Sequence, residues 1–169
     1  GPGMASGLGG AVDVDFEPLV GTCRCGQTRF EVSAPPLITA ACHCRGCQRM
    51  SASAFSLTAM VAQAAFRVIQ GDPVPAGVQG NGLAHFCCSH CKAWLFTRIA
   101  GVADFVNVRP IMFEDPAWCR PFMETMTSAK LAWAHTPARH SYETFPSMEE
   151  LPGLMAAFAA HLEANGGAP

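Results

Sequence analysis

Gly21-Thr22-Cys23-Arg24-Cys25-Gly26 and, much later, Cys88-Ser89-His90-Cys91 are the stretches whose reading decides the fold. Each sets two cysteines close together inside a turn, so each aims two sulfurs the same way. The pairs stand about 65 residues apart, so neither is a local finger. After the first pair, Gln27-Thr28-Arg29-Phe30-Glu31-Val32 alternates polar with apolar or β-branched residues, a strand pattern. Around the second, Leu83 to Cys87 and Trp94 to Arg98 read as the two arms of a hairpin.

Four thiolates delivered by two remote turns suit a tetrahedral zinc site, and a site closed by four cysteines contributes folding free energy rather than chemistry. The expectation is one structural zinc on Cys23, Cys25, Cys88 and Cys91, pinning an N-terminal strand to a distant hairpin. Two alternatives stand beside it. The cysteines could be unliganded and buried as small hydrophobes. Cys88 and Cys91 could instead be a redox pair, but the helix that would lower the thiol pKa is replaced by strand-like Ala93-Trp94-Leu95-Phe96. Cys87 adjoins Cys88, and the two-residue gap before Cys91 selects Cys88.

The second cluster, Cys42-His43-Cys44-Arg45-Gly46-Cys47, places three sulfurs within six residues with no fourth cysteine nearby. Three protein ligands leave a coordination position open, which separates catalytic from structural zinc sites. Zinc at +2 with three thiolates nets −1, a poor Lewis acid for water and a better partner for a substrate thiol. Closure of this site by His43 is an alternative, though a residue between two such close ligands generally points away from the metal; iron–sulfur ligation is another. Arg45 and Arg49 could fork carboxylates beside the metal or be solvated surface charges.

The rest of the chain supplies short strands. Leu37 to Ala41, Phe55 to Met60, Phe66 to Gln70 and Asp104 to Arg109 bring the total to roughly seven or eight by pattern. Ala34-Pro35-Pro36, Gly71 to Pro75 and Gly80-Asn81-Gly82 mark turns. Cys42 to Met50 reads as a metal knuckle with a helical turn. The one long helix comes last: Leu151, Leu154, Met155, Phe158 and Leu162 form an apolar stripe. Ser147 with Glu150 resembles a capping box, but Pro152 sits too deep for one uninterrupted helix from Ser147, so a short turn is expected first and then a helix from about Pro152 to Glu163, ended by Gly166-Gly167. The predicted organisation is a flexible N-terminus over residues 1–15 with a tag remnant at Gly1-Pro2-Gly3, a mainly β zinc domain over 16–146, and a helical tail over 147–169 packed on that domain.

Composition narrows the function. Half of the 169 residues are apolar, and 11 basic against 13 acidic residues give a formal charge of −2, which leaves no basic excess for a phosphate backbone. Neither a basic segment before a long apolar run nor a membrane-length apolar stretch occurs, so no membrane role and a cytoplasmic setting are expected. Nine cysteines, an odd number, argue for metal rather than a disulfide framework.

The set Gly-x-Cys-x-Cys-Gly at Gly21 to Gly26, Cys-His-Cys-x2-Cys with small residues at Cys42 to Ser53, and Cys-x2-Cys at Cys88 to Cys91 is similar to the glutathione-dependent formaldehyde-activating enzyme family, which also contains the centromere protein V domain. The resemblance continues through Asp104 to Asp115 and Lys130-Leu131-Ala132-Trp133, covering roughly residues 17 to 146. It implies a β-tent fold of short antiparallel strands with a structural zinc on the first four cysteines and a second zinc on Cys42, Cys44 and Cys47. It also implies carbon–sulfur lyase chemistry joining a thiol such as glutathione to formaldehyde. The sequence departs from that pattern at Lys92, where glycine commonly follows the second pair and would permit a positive φ. Cys87 replaces an aromatic residue there, and neither Cys87 nor Cys119 matches a ligand position.

The expected function is therefore a zinc-dependent thiol–aldehyde enzyme with a small-molecule thiol as partner; self-association is compatible with it. The competing class is a non-catalytic zinc scaffold or protein-interaction module of the same fold, and a methionine sulfoxide reductase ranks last because only Cys87 and Cys119 are spare thiols. His85, His90, His135, His140 and His161 lack a neighbouring nucleophile motif and read as structural or exposed. Met123, Met126 and Trp133 read as core or as a pocket wall.

Overall fold

The computed structural model describes residues 16–80, 82–99 and 102–165; the expected flexible terminus and the terminal glycine pair lie outside them. The fold is mainly β, with eleven short strands in two sheets and a C-terminal helix. The chain forms two compact units, each discontinuous in sequence: the first runs through Pro36 and resumes over Met60–Pro116, and the second comprises Leu37–Ala59 and Ala117 onward.

In the first unit β1 (Leu19–Thr22), β2 (Arg29–Val32) and β5 (Phe66–Gln70) make a three-stranded sheet in that order. Both pairings are antiparallel, with Leu19 opposite Val32 and Val32 opposite Phe66. Phe30 is fully buried at its centre, 5.7 Å from the Phe66 ring and 5.6 Å from that of Phe113. This packing explains the first glycine of the motif. A Cβ on Gly21 would lie 2.3 Å from the Phe30 ring, a contact no side chain tolerates.

The same unit carries β6 (Val74–Pro75), β7 (Leu83–Cys87), β8 (Trp94–Ile99) and β9 (Val102–Val108) as an antiparallel series. The hairpin expected around the second cysteine pair is β7 and β8, with Phe86 opposite Phe96 and a register shift at Phe86/Cys87 where the chain enters the knuckle.

In the second unit β3 (Ile38–Cys42) pairs in parallel with β10 (Met123–Thr125), which pairs in parallel with β11 (His140–Ser141). The intervening β4 (Ser56–Ala62) starts in this unit and ends in the first. The expected knuckle after β3 is larger than a single turn: α1 covers Arg45–Ser51. Eleven strands exceed the seven or eight expected because β6, β10 and β11 have two or three residues each, too few to show alternation.

The last helix, α2, spans Leu151–Ala164 and buries Leu154 and Phe158, two of the stripe residues. The expected short turn precedes it: α2 has Glu150 as N-cap with no side-chain cap bond, and the reciprocal bonds of Ser147 and Glu150 close the turn before the helix. Ser147 N–H donates to the Glu150 carboxylate at 2.8 Å, and Glu150 N–H donates to Ser147 Oγ at 3.2 Å. The helix packs against β3, with the Phe158 ring 5.4 Å from Phe122.

Candidate metal centres

Cys23 and Cys25 leave β1 in a turn completed by Gly26, whose φ of 84° is open to glycine and strained for other residues. Cys88 and Cys91 sit in the β7–β8 connection. The sulfurs of all four lie within 4.8 Å of one another, with Cys23 to Cys25 at 3.5 Å and Cys25 to Cys88 at 3.8 Å. A tetrahedron with zinc–sulfur bonds of about 2.3 Å has edges of about 3.8 Å, so the donor set fits zinc as it stands.

Backbone amides converge on the same sulfurs. Thr28 N–H donates to Cys23 at 3.2 Å, and the N–H groups of His90 and Cys91 both reach Cys88 at 3.4 Å. The thiol pKa values diverge accordingly. The Thr28 hydroxyl beside Cys88, joined by those two amides, outweighs desolvation and brings Cys88 down to about 5. Cys23 is also lowered: desolvation opposes it, but the Thr28 amide and the Cys25 thiol prevail. At Cys25 the Gln27 amide pulls down, yet desolvation and the sulfurs of Cys23, Cys88 and Cys91 push it up to about 11. The group thus accumulates negative charge until repulsion stops it, and a divalent cation relieves that repulsion.

Lys92 follows this knuckle with φ at 65°, the left-handed conformation that glycine would take without strain. Its N–H bonds to the Cys88 carbonyl at 3.0 Å and its ammonium donates to the Ser89 carbonyl at 2.8 Å, so the departure from glycine keeps the turn.

The second group lies wholly within the second unit. Cys42 ends β3, Cys44 caps α1, and Cys47 lies in the first turn of the helix; their sulfurs also fall within 4.8 Å of one another. Cys47 N–H donates to Cys44 Sγ at 3.2 Å, so the thiol serves as the helix cap. Cys42 is lowered to about 5, first by its hydrogen bond with Cys47, then, against desolvation, by the Thr125 hydroxyl and Cys44. Cys47 is raised, first by the Cys42 thiolate and then by burial. No fourth Cys, His, Asp or Glu joins this group among the described residues.

His43 is fully buried and engaged elsewhere: its Nε2 lies 2.8 Å from Glu124 Oε1, and its ring meets Phe55 edge-on at 5.4 Å. Glu124 also accepts from Thr136 at 3.1 Å and Ser141 at 2.7 Å. Burial opposes its ionisation, but the bonds from Ser141, His43 and Thr136 hold its pKa below the usual value. An ionised carboxylate only accepts, so Nε2 of His43 carries the proton. Gln48, buried in α1, donates to the His43 carbonyl at 2.8 Å and the Ala129 carbonyl at 3.1 Å, and His43 N–H donates to the Thr125 carbonyl at 3.0 Å. These contacts fix the loop that carries all three sulfurs.

Thr28, Gln48, Glu124 and Thr125 escape sequence reasoning as site residues. Thr28 falls in a strand pattern and Gln48 in the knuckle, but nothing local marks Glu124 or Thr125, which the β10–β3 pairing of Thr125 with Cys42 brings beside the second group. Arg45 and Arg49 both line a cavity of about 580 Å³ with Phe55, Leu131 and Trp133, and Arg45 donates to the Gln48 side chain. Trp133, 70% exposed, is a pocket wall, whereas Met123 is buried core. Cys87 and Cys119 are buried and outside both groups, and burial pushes both thiols up.

The fold and the two sulfur groups define a small, mainly β protein able to hold metal on cysteine. Residues 18–129 match the family described as glutathione-dependent formaldehyde-activating enzyme, and the chain belongs to that family. A crystal structure of a Rhodobacter sphaeroides protein from a structural-genomics programme is similar at a TM-score of 0.47 and 21% identity, over 56% of this chain and 87% of that one. No curated protein matches the chain. Among the described residues no helix is long and apolar enough to cross a membrane.

Proposed function

We propose that the chain is a zinc enzyme joining a small thiol, glutathione or a close analogue, to a small aldehyde such as formaldehyde. The observation that carries this reading is the three-sulfur group at Cys42, Cys44 and Cys47, which no further side chain closes among the described residues. In this reading Cys23, Cys25, Cys88 and Cys91 hold a structural zinc. Zinc at the three-cysteine group would supply a soft acid that keeps an incoming thiol deprotonated at neutral pH.

The carbon–sulfur bond forms as the substrate sulfur adds to the carbonyl carbon. The carbonyl electron pair goes to oxygen, which takes up the proton the thiol has given up; the reverse breaks that bond and releases the aldehyde. The chain contributes binding and orientation. Arg45 and Arg49 offer two forks for the carboxylates of a glutathione-like thiol, and Phe55, Leu131 and Trp133 give its backbone an apolar wall. His43, Glu124 and Gln48 hold the cysteine loop in place, which spares reorganisation when substrate arrives.

The test is NMR exchange between formaldehyde and glutathione with the zinc-loaded protein. Faster exchange that is lost in Cys44→Ser supports the reading, and a rate equal to the protein-free control overturns it.

A further inference from the structure

We propose a second ligand site, for a small organic carboxylate with an apolar body, in the cavity closed by α2. This goes beyond the thiol–aldehyde reading and does not depend on it. The cavity, about 410 Å³, lies wholly within the second unit and is lined by Arg120, Arg139 and His161 together with Trp118, Phe122 and Phe158. No Asp or Glu lines it, and none of the cysteines does. Both arginines are solvent-exposed and, among the described residues, neither is in an ion pair, so a volume of small-molecule size is lined by two arginines and no carboxylate.

The backbone that presents the arginines is fixed from both sides. The buried Thr39 hydroxyl donates to the Arg120 carbonyl at 2.7 Å and accepts from Phe122 N–H at 3.0 Å, which locks the bend before β10. Arg139 N–H donates to the Phe122 carbonyl at 2.9 Å, which places Arg139 beside the same bend at the start of β11. Phe122 is therefore the floor, and Phe158 and His161 of α2 meet its ring, both at 5.4 Å. The arrangement sets an aromatic bed beside two exposed arginines whose backbone is held. It suits a ligand with one apolar end and one carboxylate, since the planar guanidinium pairs with carboxylate through two parallel bonds.

The probes are phenylacetate and its neutral counterpart phenylacetamide, titrated into the zinc-loaded full chain and followed by NMR shifts of the Trp118 indole and the His161 ring. Saturable binding of the acid at least ~10-fold tighter than the amide is expected, which corresponds to about 1.4 kcal/mol of charge-assisted bonding. Arg120→Gln with Arg139→Gln should abolish that preference, while Arg45→Gln with Arg49→Gln should leave it unchanged. Equal binding of acid and amide, no saturable shifts at Trp118 and His161, or full retention by the first double variant overturns the proposal. Should that variant fail to fold, the acid-to-amide ratio and the location of the shifts in the unsubstituted protein decide alone.

Discussion

Lys92 shows how a single residue records a departure from family pattern. Its φ of 65° costs a non-glycine residue about 1–2 kcal/mol, and glycine gives back part of that in unfolded-state entropy. Lys92→Gly should therefore raise stability by about 0.5–1 kcal/mol in denaturant unfolding with unchanged metal content; a lower midpoint contradicts this account of the knuckle. Glu124 acts at the other group. Its pKa lies below the ordinary 4.5, so the stability it contributes is complete above about that pH and drains as pH falls through the lower folded value. Glu124→Gln replaces charged acceptors of His43 and Ser141 and should cost about 1–3 kcal/mol near neutrality. The gap between variant and parent should close in acid, which a pH series of unfolding midpoints reads directly; a gap that widens in acid has the opposite sign and rejects the argument.

Among the elements, α2 is entered through a bonded turn. The mutual bonds of Ser147 and Glu150 satisfy two amides in the turn that leads into the helix, so Ser147→Ala should cost about 0.5–1.5 kcal/mol. Faster amide exchange in the first turn of α2 would accompany the loss, and unchanged exchange would contradict it. The entry turn, the start beside Pro152 and the apolar stripe were all legible because helix signals are local. So were β5 and the β7–β8 hairpin, whose residues alternate beside strong turn signals. By contrast β10 takes its strand form from pairing with β3, which lies over eighty residues before it, and β11 from pairing with β10. A three-residue run such as Met123-Glu124-Thr125 carries no period that can be read alone. The seven-residue α1 was seen only as a turn, because its register comes from Cys44 capping and from Gln48 buried against His43 and Ala129. The cysteine groups, in turn, were legible from spacing, while the side chains that hold them were not.

At the scale of the whole molecule, each compact unit contains one sulfur group, the first of four cysteines and the second of three. The two should differ in what their loss does. A metal tying β1 to the β7–β8 hairpin would contribute directly to folding, whereas the second group lies on one local stretch already held by Gln48, His43 and Thr125. Cys88→Ser is expected to unfold the protein at ambient temperature, and Cys44→Ser to leave a folded chain by circular dichroism. Collapse on Cys44→Ser would place the second group among the structural determinants of the fold. Native mass spectrometry of the purified, reduced protein tests the account most directly. Two zinc ions per chain, falling to one in Cys44→Ser, is the predicted result; a folded chain that carries no metal would contradict it.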